Sequence, residues 1–156
     1  MKTHLEIPIN ELFMNNLIEK FRAYNAHNLN KFLKKIKYYN PLNYKVKDYR
    51  LKETFNQDFL QVYDENGKIS WDAIRLFIPP GIEKAIKSEC KEFNDNEIRL
   101  CCLLIFDVPT KSILNILTYN KKSIYSTTYT IKKKAKVKKI PEIFRNIILN
   151  MISIDN

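Results

Sequence analysis

The feature that most restricts the fold is an uninterrupted apolar run, Leu100–Phe106, in which no charged or polar residue occurs. Asn94 can cap a helix just before this run, and Glu97 stands three residues later, where it completes a capping box. The spacing therefore predicts a helix from Asp95 to Phe106. A helix that is apolar on every side is stable only when other elements surround it. We expect the rest of the chain to pack around this helix.

Two further helices are predicted directly after it. Pro109 ends the first helix, because proline has no backbone N–H and clashes with the preceding turn. Thr110 can then cap a short helix, Lys111–Leu117, which is followed by a turn at residues 118–120. A third helix is predicted from about Lys122 to Lys136. A buried helix, a short helix, a tight turn and a basic helix in this order form a helix-turn-helix pattern.

The third helix is the candidate recognition helix. Its inward residues are Ile124 and Ile131, seven positions apart, which leaves a basic face opposite. Nine lysines and no acidic residue lie between Asp107 and Glu142, and such a field attracts phosphate groups. Duplex DNA is therefore the expected partner. The candidate contacts are Lys111, Lys122, Ser126, Tyr129, Thr130, Lys132, Lys133 and Lys134.

A strand is the alternative for part of this segment. Tyr125, Thr127, Tyr129 and Ile131 alternate with period two, and β-branched threonine is common in strands. The lysine run at 132–134 and the short helix before it favour a helix, which is the prediction made here.

The same residues carry a family resemblance. They are Glu97, Arg99, Leu100, Cys101 and Leu103 in the first helix, Ile113 and Leu117 in the second, and Ser123, Ile124, Tyr129, Ile131, Lys132, Lys133 and Lys134 in the third. In this pattern, residues 71–135 resemble the C-terminal helix-turn-helix domain of a group of Bacteroidetes regulatory proteins, and more distantly LuxR-type effector domains and sigma factor region four. The resemblance implies a DNA-binding transcriptional regulator.

The chain departs from that family pattern at functionally important positions. Leu114 replaces a small alanine that lets two helices cross closely, and Asp107 replaces a glycine in the first loop. Thr128 and Thr130 stand where the family has arginines. Bidentate arginine, asparagine or glutamine contacts carry most discrimination between bases, and the predicted recognition helix has none. We therefore expect modest sequence specificity.

The remaining segments also predict helices. Residues 10–39 form one long helix or two collinear ones, with a first apolar stripe of Leu12, Phe13, Leu17, Ile18 and Phe21 and a second of Leu29, Phe32, Leu33 and Ile36. Helices are also predicted at 48–63, at 71–77, at 82–93 and from 143 to 152, with a turn at 64–67. The overall prediction is an all-α helical bundle. Residues 1–66 are expected to form an N-terminal helical extension, and residues 67–156 the helix-turn-helix domain with its C-terminal helix.

Composition excludes several classes of function. The chain of 156 residues has a formal net charge of +10 and only two glycines, which argues against a glycine-rich phosphate loop. Cys90, Cys101 and Cys102 have no metal-ligand spacing, and neither His4 nor His27 has a Cys, Asp or Glu partner at ligand spacing. We expect no enzyme, no cofactor, no signal peptide and no membrane span, and a cytoplasmic protein with reduced thiols.

Three functions remain open from sequence. The first is a transcriptional regulator that contacts duplex DNA through the third helix. The second is a non-specific RNA or single-strand binder that uses the basic, tyrosine-rich segment 31–52. The third is an interaction protein whose degenerate helix-turn-helix contacts a polypeptide such as an RNA polymerase subunit. The N-terminal or the C-terminal helix could also form a homodimer contact.

Overall fold

The computed structural model describes residues 6–39, 62–64 and 67–154, with side chains at 11–36, 62–64 and 67–152. The described residues are mostly helical, and they contain no strand beyond one isolated bridge. The helices are α1 (Glu6–Tyr39), α2 (Trp71–Arg75), α3 (Ile82–Glu89), α4 (Asp95–Ile105), α5 (Thr110–Ile113), α6 (Lys121–Ala135) and α7 (Pro141–Ile154). The prediction of an all-α fold with a long N-terminal helix is confirmed.

Helix α4 lies at the centre of the fold. It begins at the predicted capping box, where Asn94 Oδ1 accepts from Glu97 N at 2.8 Å and Glu97 Oε1 accepts from Asn94 N at 2.9 Å. Seven of its eleven residues are buried, and it packs against α3, α6 and α7. Leu103 is fully buried, whereas Leu104 is only partly buried. Asp107, just after the helix, has a φ of 57°, a left-handed conformation that aspartate tolerates better than most residues.

Helix α1 is continuous, and it packs on the core through its second apolar stripe. Its buried hydrophobic residues are Ile18, Ala26, Leu29, Leu33 and Ile36, all in one core cluster with residues of α3, α4, α6 and α7. Phe32 stacks on Phe77 with ring centroids 4.2 Å apart. Of the first stripe, only Ile18 is buried. The other four residues of that stripe are exposed, because they lie on a neighbouring face of the helix.

Arg22 joins α1 to the end of α4. Its buried guanidinium donates from Nη1 to the Ile105 carbonyl oxygen at 2.8 Å and to Asp107 Oδ2 at 2.9 Å. A cation at a helix C-terminus satisfies free carbonyl groups and complements the helix dipole. Glu19, one turn before Arg22, accepts from the same guanidinium, and this hydrogen bond lowers the pKa of Glu19. Asp107 thus has its own tertiary partner at the end of α4.

The segment before α2 differs in part from its prediction. Val62 is helical, as predicted, and Tyr63 then pairs with Ile69 in an isolated antiparallel bridge instead of continuing the helix, while residues 48–61 lie outside the described residues. The predicted turn at 64–67 is confirmed. Gly67 N donates to the Asp64 carbonyl oxygen at 3.1 Å, and Gly67 has a φ of 76°. Lys68 Nζ then donates to the Leu114 carbonyl oxygen at 2.7 Å. This short segment therefore supports the connection that follows α5.

A polar cluster joins α2, α3 and α4. The Trp71 indole Nε1–H donates to Glu83 Oε1, and Arg75 binds the same carboxylate through Nε at 2.9 Å and Nη2 at 3.0 Å. The guanidinium of Arg99 lies over the Trp71 ring, 5.3 Å from its centroid, which is cation–π geometry. The hydrogen bond from Arg75 is the largest cause that lowers the pKa of Glu83. Trp71 is therefore part of the scaffold around α4.

Helix α7 packs against α1, α3 and α4. Phe144 is fully buried, packs edge-on against Phe106 at 5.7 Å and stacks against Phe21 of α1 at 6.0 Å. Its distal residues Met151 and Ile152 are exposed. No helix in the described parts of the chain combines the length and the apolar character needed to cross a membrane.

Candidate nucleic-acid interface

Helix α5, which lies between α4 and α6, is shorter than predicted. Helix α5 ends at Ile113, whereas the sequence predicted a helix to Leu117. The chain nevertheless keeps a helical path, since Asn115 N and Ile116 N donate to carbonyls three residues back and Leu117 N donates four residues back. Ile113, Ile116 and Leu117 are all buried, as predicted. The apolar spacing is therefore used although the regular helix ends early.

Helix α6 has a capping box that the sequence analysis did not identify. Asn120 Oδ1 accepts from Ser123 N at 2.8 Å, and Ser123 Oγ accepts from Asn120 N at 2.9 Å. The usual signature has glutamate or glutamine at the second position, which explains why a serine there gave no signal. The cap fixes the start of α6 at Lys121, one residue before the prediction.

The inner face of α6 has the predicted residues. Ile124 is 1% exposed and Ile131 is 0% exposed, and α6 packs on α4. The alternating residues considered as a strand form this helix instead. Thr127 and Thr128 are half-buried beside the isoleucines, and Thr128 Oγ1 donates to the Ile124 carbonyl oxygen at 2.6 Å. Packing of the isoleucine pair on α4 thus outweighs the β-propensity of the threonines.

We define the outer face of α6 as the exposed residues of this helix. They are Lys121, Lys122, Tyr125, Ser126, Tyr129 and Lys133. Four of them were predicted as contacts, whereas Lys121 and Tyr125 were not. Tyr125 stands one turn before Tyr129, and that spacing could have identified it. Of the remaining predicted contacts, Lys111 is exposed on α5, and Thr130 and Lys132 are half-buried at the margins of the outer face.

The hydroxyl groups on this helix are hydrogen-bonded to its own backbone. Ser126 Oγ donates to the Ser123 carbonyl oxygen at 3.2 Å, and Thr130 Oγ1 donates to the Ser126 carbonyl oxygen at 3.1 Å. Such bonds to the preceding turn are common for serine and threonine within helices. They use the hydroxyl protons of Ser126 and Thr130, two of the predicted contacts.

Lys134 has a different environment from the other predicted lysines. Its Nζ donates to both carboxylate oxygens of Glu97, at 2.9 and 3.0 Å, and to the Glu92 carbonyl oxygen at 3.3 Å. Glu97 is only 4% exposed, so a buried carboxylate compensates this positive charge. Lys134 therefore joins α6 to the capping box of α4, and its ammonium group is already paired with a carboxylate.

The buried thiols and the acidic groups provide no alternative site. Burial raises the pKa of Cys101 and Cys102, so neither thiol is a reactive thiolate. Within the described residues, no group of three or more His, Cys, Asp or Glu side chains could hold a metal ion. Among the described residues, the outer face of α6 combines exposure, positive charge and support from the core.

A scan against protein-family models, a search of curated proteins and a search of solved structures each found no match to this chain.

Proposed function

We propose that this chain is a DNA-binding transcriptional regulator that contacts duplex DNA through the outer face of α6. The observation that carries the proposal is a capped helix with exposed lysines at both ends and no carboxylate between residues 108 and 141. Neutralisation of phosphates by such lysines releases counterions and supplies affinity that does not depend on sequence.

The dimensions of α6 suit the major groove. At about 1.5 Å per residue, its 15 residues span roughly 22 Å, and the groove, about 12 Å wide, admits one α-helix. Lys121 and Lys122 at the first turn and Lys133 near the last turn can reach phosphates at separate points along the groove. Lysine is a flexible point charge, so these contacts orient the helix more than they select bases.

The proposed activity is binding, with no catalytic step and no cofactor. The buried, free thiols of Cys90, Cys101 and Cys102 are consistent with the cytoplasm as the proposed location. We expect α6 to discriminate only weakly between DNA sequences, because no arginine, asparagine or glutamine occurs within it.

A competition experiment tests the proposal against single-strand binding. A dye-labelled duplex bound to the purified chain is challenged with unlabelled duplex and with each separated strand. We expect the duplex to compete best, and affinity for it to fall steeply as salt rises. Equal or better competition by single strands would contradict the proposal and favour the basic, tyrosine-rich segment 31–52, of which residues 40–52 lie outside the described residues.

A second candidate function is protein association, which an exposed apolar stripe on α1 favours. Phe13, Leu17, Phe21 and Tyr24 follow one another at spacings of four, four and three residues, and they are 61%, 45%, 47% and 66% exposed. Contiguous apolar surface of this kind marks interaction sites. A homodimer through α1 would bring two copies of α6 into one assembly, and helix-turn-helix dimers bind two half-sites about one helical turn apart.

Sedimentation equilibrium tests this association. Leu17→Glu should convert a dimer to a monomer, whereas the control Ala23→Glu, at an exposed position of α1 on a different face from the stripe, should not. A parent chain that is monomeric throughout would exclude the homodimer. Copurification of RNA polymerase or another protein after nuclease treatment would instead assign the stripe to that partner.

A further inference from the structure

The two exposed tyrosines of α6 point to a chemical preference that lysine contacts cannot supply. Tyr125 and Tyr129 are 61% and 68% exposed, stand one helical turn apart and lie in the middle of the outer face. Lysines flank them, at positions 121 and 122 on one side and at position 133 on the other. Lysines that contact phosphates at both ends would hold the tyrosine rings toward the base edges.

The polar groups that usually read base edges are missing or already used on this helix. No residue of α6 offers the planar fork that pairs with guanine or adenine. The hydroxyl protons of Ser126 and Thr130 are donated to backbone carbonyls of the same helix. The outer face therefore presents mainly aromatic surface to the floor of the groove.

Only one group in the major groove matches that surface. The C5-methyl group of thymine is the apolar feature among the base edges there, and apolar side chains contact it. We propose that Tyr125 and Tyr129 read thymine methyl groups, so that A·T-containing duplexes are the preferred substrate class of this site. This inference rests on the proposed function, because it needs α6 to enter the major groove.

The test compares two duplexes that differ only by those methyl groups. Fluorescence anisotropy measures binding of the full chain to an A·T-rich duplex and to the same duplex with deoxyuridine in place of thymidine. Each methyl group that a tyrosine ring covers should contribute roughly fourfold in affinity, so two such groups should make the thymidine duplex bind about fifteenfold more tightly.

Tyrosine variants show whether the rings cause this difference. The double variant Tyr125→Ala with Tyr129→Ala should bind both duplexes with equal affinity, whereas Tyr125→Phe with Tyr129→Phe should keep the parent ratio, because it keeps the rings. Far-UV circular dichroism confirms that each variant is folded. Since both duplexes are measured with every variant, any effect of deoxyuridine on the DNA itself cancels.

The outcomes separate this inference from the proposed function. Equal affinity of the parent for both duplexes, with the steep salt dependence retained, would overturn thymine reading and leave duplex binding intact. Thymine reading would also be overturned if the double alanine variant kept the parent's ratio of affinities for the thymidine and deoxyuridine duplexes. Tighter binding to single-stranded oligothymidine than to duplex would show base stacking instead and overturn both proposals, as would an absence of any salt-dependent binding.

Discussion

Helices α4 and α6 begin in the same way but have opposite roles in the fold. Each starts with an asparagine-led capping box, at Asn94 and at Asn120. Helix α4 then buries seven of its eleven residues, whereas α6 buries only Ile124 and Ile131 of its fifteen. Local capping therefore fixes where a helix begins, and the distribution of apolar residues decides whether it supports the core or presents a surface. The Glu97–Lys134 ion pair joins the two helices.

The largest expected effect is on the free energy of unfolding when α4 loses core volume. Leu103→Ala should cost about 2–5 kcal/mol, because the fully buried side chain leaves a cavity. Lys133→Ala, on the exposed face of α6, should change stability by less than about 0.5 kcal/mol. Urea denaturation followed by circular dichroism measures both. Similar midpoints for the two variants would contradict the division between a core helix and a surface helix.

Leu104 sharpens the same comparison. The apolar run predicted it as a core residue, but it is only partly buried, so Leu104→Ala should cost less than Leu103→Ala. A larger loss at Leu104 would show that the faces of α4 are assigned wrongly.

An intermediate loss in the free energy of unfolding is expected when the Glu97–Lys134 ion pair between α4 and α6 is removed. Glu97→Ala should cost about 1–3 kcal/mol, because it removes the cap acceptor for Asn94 N and leaves the Lys134 ammonium without its carboxylate. Lys134→Met keeps the aliphatic stem and removes only the charge. A double-mutant cycle of the two variants measures their coupling. Additive losses would show that the ion pair does not couple the helices.

A smaller loss of stability is expected at low pH, through protonation of Glu83 in the polar cluster beside α4. The pKa of Glu83 is lowered in the folded state, chiefly by its hydrogen bond from Arg75, relative to about 4.3 in the unfolded chain. Its contribution is therefore complete above the unfolded pKa and is lost as pH falls through the folded pKa.

Urea titration followed by Trp71 fluorescence measures this loss of stability, because Trp71 is the single tryptophan of the sequence and is buried in the folded state. The comparison is Glu83→Gln, which should show a smaller decrease in stability below about pH 4.3 than the parent. Parallel pH profiles for the two proteins would contradict the assignment. Subtraction also removes the shared contribution of Glu19, whose pKa is lowered by Arg22.

The sequence was sufficient for features encoded locally. The apolar run and the Asn94–Glu97 spacing predicted α4 to within one residue, and Ile124 and Ile131 identified the inner face of α6. Both depend on residues close together in the chain, where capping and helical period act directly.

Features that depend on distant partners could not be predicted. Lys134 appeared to be one lysine among many, because its partner Glu97 is 37 residues away and meets it only in the folded chain. The exposed face of α1 is a second case. Leu12, Phe13, Leu17 and Phe21 are apolar at helical spacing, but a helix with two apolar faces does not reveal which one meets the core. Just after α5, the Leu114 carbonyl oxygen likewise accepts a hydrogen bond from Lys68, 46 residues away in the chain.

The most direct test of the account is the salt dependence of duplex binding after removal of two lysines from the outer face. We predict that Lys122→Ala with Lys133→Ala flattens the plot of log affinity against log salt by roughly 0.9 for each phosphate that is no longer neutralised, about two units in total. Lys20→Ala with Lys84→Ala, which removes the same charge from exposed positions on α1 and α3, should leave the slope unchanged. A double variant on the outer face that binds duplex with the affinity and slope of the parent would contradict the assignment of α6 as the recognition helix.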